Sequence, residues 1–296
     1  MAEHELDPHD AHHAEFWGEP REGYGVVVGN CQAESVRLVL DSDEVPLVRV
    51  PPVYLLDAAA TRRLHDLLSG ASMLIAQPVK DDYHGLPLGT RQLAASLPRS
   101  SRAVTFPIVR FTGLYPFQAA LHVPGVEETP PIVAYHDVRT LAEAAGAPVR
   151  SRLDRDAVHA EADASLAELR RREASLDVAI SDVFADPEFD LVRTVNHPGN
   201  AVLLALGDRI LRALGRSGEA TDPGRPLLNS VHAPREDWVI DAWDLDAEPD
   251  SDWTVDGRRV APAEAREAHL EWYRRHPQFV RGALERLRPT LERWRR

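Results

Sequence analysis

An α/β fold built on a parallel sheet is what this sequence predicts, and three observations predict it. Short, apolar, β-branched runs alternate with stretches of helical periodicity, the pattern of a sheet covered by helices on both faces. The first of these runs closes on a glycine and leads straight into a helical stretch. The 296 residues, 44% of them hydrophobic, are enough for one large domain with an extension. The expected architecture is therefore three layers, with additional helices in the C-terminal half.

Taken in order, Tyr24 to Val28 is an apolar run bounded by glycines, which fits a buried strand. Gln32 to Leu40 follows, with Val36, Val39 and Leu40 at helical spacing. Leu47 to Val50 reads as a second strand, Ala58 to Leu68 as a helix and Ser72 to Ala76 as a third strand. The loop QPVKDDYHGLPLG then leads to a helix near Thr90 to Ser96. Ala103 to Val109 and Ile132 to Tyr135 have strand composition, separated by the aromatic loop FTGLYPFQ. From Leu153 to Val183 the pattern is one long charged helix whose charges, three and four residues apart, mark a solvated face. A further helix starts after Pro198, with proline near its first turn as helix geometry prefers. Residues 241–256 are acidic and aperiodic, as in a surface connection, and 262–296 reads as one or two Arg-rich helices.

The expected organisation is a mobile N-terminal arm over 1–22, an α/β domain over 23–220 and a C-terminal extension over 221–296. The arm carries His4, His9, His12 and His13 without apolar periodicity, so no metal site is expected there. The segment 273–296 holds eight arginines against two glutamates, a basic patch expected to pack on the acidic 241–256 stretch.

A formal net charge of −13 argues against nucleic acid or an anionic membrane surface as the main partner. No run of 18 uncharged apolar residues occurs and the N-terminus is polar and acidic, so stable membrane insertion is not expected and a cytoplasmic location is. One cysteine cannot form an internal disulfide, which suits a reducing compartment.

That cysteine, Cys31 in VVVGNCQ, falls where a strand gives way to a helix. Unpaired N–H groups and the positive end of the helix dipole favour a thiolate there, and the same N–H groups suit a developing oxyanion. Gly29 allows the tight turn. The alternative is a small residue buried at a helix start, as cysteines commonly are. A nucleophile needs a base, and among 13 histidines the best placed is His197 in TVNHPGN, with Asn196 or Asn200 able to orient its ring. His84 and His136 compete, and so does an ordinary capping loop around His197. The loop after the third strand should open on the same sheet edge as Cys31. It offers Gln77, Lys80, Tyr83, His84, Thr90 and Arg91, and Lys80 is the only lysine in the chain. Thr90 opens a helix, a place for a phosphate or carboxylate; a plain surface loop is the alternative.

The pieces GVVVGNCQAESVRLVL, IAQPVKDDYHGLPLGTRQL, FPIVRFTGLYPFQ and VNHPGN, in this order over roughly residues 24–215, resemble the WcbI family of capsular-polysaccharide biosynthesis proteins. The family is associated with acetyl transfer and coenzyme A binding, and is similar in architecture to the SGNH (GDSL-type) hydrolases. The resemblance implies an SGNH-hydrolase-like three-layer sheet with Cys31 in the place of the nucleophilic serine, His197 as base and Gln77 near the oxyanion-hole asparagine. An Asp-x-x-His is missing, since Thr194 stands three residues before His197. The resemblance further implies an acyltransferase that moves an acetyl group from acetyl-coenzyme A to a hydroxyl of a sugar or glycan precursor. Asn30, Gln77 and backbone N–H groups would stabilise the oxyanion, while Gly29, Gln32, Lys80, Tyr83, His84, Thr90 and Arg91 would line the coenzyme A site. A thiol-dependent esterase and a non-catalytic module for coenzyme A or a nucleotide are the rivals. Oligomeric state is left open.

Overall fold

The computed structural model describes residues 14–126, 128–147 and 149–294, of which the side chain of Ala14 is excepted. These residues gather into two compact units interleaved along the chain. The first is drawn from Met1–Ile108, Arg170–Asp182 and Asn200–Leu227, the second from Val109–Leu169, Val183–Gly199 and Leu228–Arg296.

The first unit is α/β. Strands β1 (Gly25–Val28), β2 (Leu47–Val48), β3 (Met73–Ala76) and β4 (Arg102–Thr105) form a parallel sheet in the order β2-β1-β3-β4. Gly25 to Val28 lie in register with Met73 to Ala76, and those in turn with Arg102 to Thr105. Each strand is shorter than its apolar run where proline follows: Pro51 and Pro52 stop β2, and Pro107 stops β4, because proline has no N–H for the ladder.

Alternation along the strands sends Val26, Val28, Leu74 and Ala76 to one face. There they meet Leu64, Leu67 and Leu68 of helix α2 (Ala58–Gly70) and Leu93 of helix α3 (Thr90–Ala94). Burying a leucine of this kind contributes about 1.5–3 kcal/mol. Helix α1 (Cys31–Leu40) packs on β1 and against a later helix of the same unit, Asn200–Ala213. At that contact a Cβ on Gly207 would lie 3.2 Å from Val39 and 2.7 Å from Ala220, so the helices approach as closely as a glycine allows. Within the stretch expected as an arm, residues 14–17 form one helical turn that buries Phe16 in the same core, while 1–13 lie outside the described residues.

The second unit is mostly helical, with small antiparallel ribbons. It pairs β5 (Gln118–Ala119) with β6 (His136–Asp137) and β7 (Val192–Thr194) with β8 (His197–Pro198), and sets β10 (Trp253–Val255) between β9 (Val231–His232) and β11 (Arg258–Val260). Its core gathers Leu141 of α4 (Val138–Ala144) with Trp272 and Tyr273 of Pro262–Arg275 and Phe279, Val280 and Ala283 of Pro277–Trp294.

Several expectations are corrected. Ile132 to Tyr135 is not a strand: Pro130 and Pro131 remove two donors and Ile132 has φ 72°. The long charged helix α5 (Arg155–Glu173) ends ten residues early, because the buried Glu173 carboxylate accepts the backbone N–H groups of Ile180 (2.6 Å) and Ser181 (2.9 Å). Residues 241–256 are not a bare connection, since they include the end of a helix (Asp237–Trp243) and β10. Among the described residues no ion pair joins a C-terminal arginine to this stretch either. Asp244 pairs with Arg155, and Asp250 and Asp252 with Arg259, while Arg293 reaches the buried Glu161. Among the described residues no helix is long and apolar enough to cross a membrane.

Candidate functional site around Cys31

The C-terminal end of β1 sets the site. Gly29 follows the strand, Asn30 caps α1 and Cys31 is the first helical residue. Asn30 adopts an extended conformation (φ −83°, ψ −161°) and its Oδ1 accepts the Gln32 N–H at 2.9 Å. A cap of this type stabilises a helix by about 1 kcal/mol. With the oxygen so used, the Nδ2 amide is what remains of the Asn30 side chain to donate. Both Asn30 and Cys31 are half-buried.

Gln77, just past β3, locks this turn from the neighbouring strand. Its backbone N–H donates to Val28 O at 2.9 Å, which carries the β1–β3 pairing one step beyond the strands. Its Oε1 accepts the Asn30 backbone N–H at 2.8 Å, and its Nε2 donates to Gln32 Oε1 at 3.1 Å. Gln77 and Gln32 are each 1% exposed. Such a buried amide pair costs about 1–3 kcal/mol if one partner is lost. Gly29 is needed here for space: a Cβ would fall 2.4 Å from Gln77 Oε1. Each end of the Gln77 amide thus has a partner inside the protein, Oε1 taking the Asn30 N–H and one Nε2 hydrogen going to Gln32, and Gln77 is the strut that holds the Asn30–Cys31 turn.

The loop after Gln77 is tied back rather than open. Thr90 Oγ1 donates to Gln77 O (2.9 Å) and accepts from Val79 N–H (2.8 Å), so its hydroxyl is committed to closing the loop. Arg91 is exposed and paired with Asp81. Asp82 and His84 have positive φ (53° and 52°), and Gln92 fastens Asp82 through its amide. The Tyr83 ring meets that of His84 edge-on at 4.2 Å. Lys80 and His84 are exposed and Tyr83 is half-buried.

Tyr54 is a site residue that the sequence did not single out. A single 3-10 turn, Val53–Leu55, is anchored by the Val53 N–H on Gly29 O at 2.8 Å, two residues before Cys31. The Tyr54 phenol is pushed up from its ordinary value, first by burial and then by the negative charges that Cys31 and Tyr83 can carry. Tyr54 and Leu55 are nonetheless 52% and 48% exposed. Only the PP-x-Y spacing could have suggested it, since paired prolines before an aromatic residue favour a fixed turn.

His197 belongs to the second unit. It opens β8 opposite Thr194, and its ring stands edge-on to Tyr135 at 5.7 Å. Tyr135 O–H donates to Asn196 Oδ1 at 2.7 Å, and the buried Thr194 hydroxyl donates to Tyr135 at 3.0 Å. The buried His197 Nδ1 has no hydrogen-bond partner among the described residues. Burial, then the charges of Arg193 and His232, lower its pKa to about 4, so the ring is neutral at pH 7. Asn200, by contrast, is spent on Asp222 and Arg225 in the first unit. His136, the competing base, is a core residue of the second unit. Its Nδ1 lies 2.6 Å from the Tyr273 hydroxyl, and burial, followed by the charge of His269, lowers its pKa to about 3.

A family model described as the polysaccharide biosynthesis enzyme WcbI matches residues 24–219 of the chain. No curated protein matches it. One solved structure, of WcbI described as a novel polysaccharide biosynthesis enzyme in its native form without a disulfide bond between coenzyme A and a cysteine, is similar with a TM-score of 0.75. The two share 20% identity over 92% of this chain and 99% of that one, a likeness of fold.

Proposed function

The chain belongs to the WcbI family of polysaccharide biosynthesis enzymes, and from that membership we propose that it is an acyltransferase acting through Cys31. It would move an acetyl or similar group from a coenzyme A thioester to a hydroxyl of a sugar or glycan precursor. The observation that carries the proposal is the placement of Cys31 at the first position of α1, directly after the sheet's β1. An SGNH-like arrangement, with the nucleophile after the first strand, is part of the same proposal.

In this scheme the Cys31 thiolate attacks the thioester carbonyl, forming an acyl–sulfur bond as the bond to the coenzyme A sulfur breaks and that thiolate leaves. The acceptor hydroxyl then gives up its proton, attacks the acyl carbon and releases Cys31. The Asn30 Nδ2 amide is the donor for the oxyanion, on a turn whose Asn30 and Gln32 N–H groups are held inside the protein. Gln77 fixes the turn that carries Asn30 and Cys31. Lys80 supplies exposed positive charge for the donor's phosphates, and Tyr54, Tyr83 and His84 supply an aromatic rim. Thr90 and Arg91 contribute through the loop they close. His197 as proton acceptor rests on the sequence resemblance, and its neutral ring is compatible with that role. That the solved WcbI structure is described in terms of coenzyme A and a cysteine supports the choice of donor.

The test is intact mass spectrometry of the protein with acetyl-coenzyme A, followed by peptide mapping. An added acetyl group on Cys31 that disappears when a sugar acceptor is supplied is expected. Release of acetate into water without transfer would make the protein a thioester hydrolase. Unchanged turnover in Cys31→Ser and Cys31→Ala would overturn the nucleophile.

A further inference from the structure

Arg193 lies in β7 between Val192 and Thr194, both wholly buried, so strand alternation turns its side chain to the opposite face. Its carbonyl accepts the Ala233 N–H at 2.9 Å, which brings β9 and His232 alongside. Asn229 Oδ1 then holds both cationic side chains, accepting from Arg193 Nε at 3.2 Å and from His232 Nε2 at 2.8 Å. His197, opposite Thr194 on β8, is close enough for the charges of Arg193 and His232 to act on it. All four residues belong to the second unit; Arg193, His197 and His232 are half-buried and Asn229 is exposed.

What this cluster lacks is a counter-ion. Among the described residues no carboxylate forms an ion pair with Arg193, whose hydrogen bonds go to two neutral oxygens, Asn229 Oδ1 and, at 3.4 Å, Pro198 O. Its Nη2 donates to nothing in the protein and is not sealed from solvent, and the same holds for His232 Nδ1. The other groups that act on the cluster do not fill the gap. Asp190 is exposed and forms no ion pair with Arg193, Tyr115 spends its hydroxyl on Val192 O, and Arg235 adds positive charge while it acts on Asp250. Arg209 and Arg259, hydrogen-bonded to Asp182 and Asp250, have their pKa values raised by those partners, whereas burial lowers that of Arg193. A half-buried guanidinium grouped with two imidazoles has lost solvation that an incoming anion restores. Arg193 Nη2, the Asn229 Nδ2 amide and the protonated His232 Nδ1 are the donors left to meet it.

We propose that Arg193, Asn229 and His232 form an oxyanion-binding site beside His197 that takes a phosphate group. The proposal concerns binding alone and needs neither Cys31 nor an acyl donor, so it stands or falls apart from acyl transfer.

NMR of the His197 and His232 imidazole signals in the full chain, without coenzyme A, tests it at pH 7 and constant ionic strength. The probes are inorganic phosphate and phenyl phosphate, and His197→Gln and His232→Gln assign the signals. A saturable shift of both imidazoles is expected, with affinity about tenfold or more lower in Arg193→Gln and several-fold lower in Asn229→Ala. Asn229 is exposed, so its replacement guards against an Arg193 variant that fails to fold. Tighter binding of phenyl phosphate would identify a phosphate ester as the ligand, and equal or weaker binding the free ion. Bound phosphate should also raise the His197 pKa from its value of about 4. No saturable shift with either probe, shifts that sodium chloride reproduces, or unchanged affinity in Asn229→Ala or in a folded Arg193→Gln would each overturn the proposal.

Discussion

Gln77 and Asn30 are joined by a hydrogen bond that runs from the Asn30 backbone N–H to Gln77 Oε1 at 2.8 Å, between the ends of adjacent parallel strands. Through this bond a residue 46 positions beyond Cys31 in sequence fixes the backbone turn on which the thiol sits. The physical consequence is that the site's precision rests on a buried amide rather than on a charge.

Replacing Gly29 with alanine should break that relationship, because the new Cβ would meet Gln77 Oε1 at 2.4 Å. The amide must move, leaving the Asn30 N–H without its acceptor, at a cost of about 1–3 kcal/mol. Urea unfolding should show the loss, and the rate of Cys31 alkylation by iodoacetamide should change with it. An alanine variant with wild-type stability and alkylation rate would show that the Gln77 strut is dispensable.

Tyr54 should report the charge on Cys31. Burial raises the Tyr54 pKa first and the negative charges of Cys31 and Tyr83 add to it, so removing the thiolate should let the phenol ionise at lower pH. Difference titration of phenolate absorbance in Cys31→Ser, with Tyr54→Phe to assign the signal, measures this. Superimposable curves in wild type and Cys31→Ser would refute the coupling.

His136 should make stability fall on acidification. Its folded pKa, lowered to about 3 from 6.5, means the unfolded chain takes up the proton first as pH drops. Its contribution is complete above about 6.5 and is lost as pH falls towards 3, at about 1.4 kcal/mol per pH unit within that window. In His136→Phe the urea midpoint should change less between pH 7 and acid than in the wild type. An equal pH dependence in both proteins would count against the assignment.

If His197 is the proton acceptor, activity should survive well below neutrality and fall only as pH drops through about 4, where its ring gains a proton. Replacing Arg193 with glutamine removes one of the charges that depress this pKa, so the acid limb should move to higher pH. The pH dependence of kcat/KM in the two proteins decides the matter. An acid limb that ignores the Arg193 change would remove His197 from the reaction.

Much of the first unit was legible in the sequence because its signals are local. Apolar runs of four residues at β1 and β3 and the spacing of Val36, Val39 and Leu40 each specify an element through their own periodicity. Where proline intervened, at Pro51, Pro107 and Pro131, strands were shorter than composition suggested or absent, because donors needed by a ladder were missing. The acidic and basic stretches were harder to match. Charge composition does not say which arginine meets which aspartate, and Arg155 and Arg259, not the C-terminal arginines, took the partners at 244–252.

By itself the sequence determined the parallel α/β unit, the position of Cys31 at a helix start and the family, since each depends on neighbours along the chain or on ordered motifs. Tertiary structure alone decided what the surrounding polar groups do. Gln77 faces Asn30 and Gln32; Thr90 closes a loop; Tyr54, unremarked in sequence, stands beside the thiol. The reason is that a side chain's hydrogen-bond partners come from strands and turns distant in sequence, and a buried amide must satisfy both its ends before it can serve a ligand.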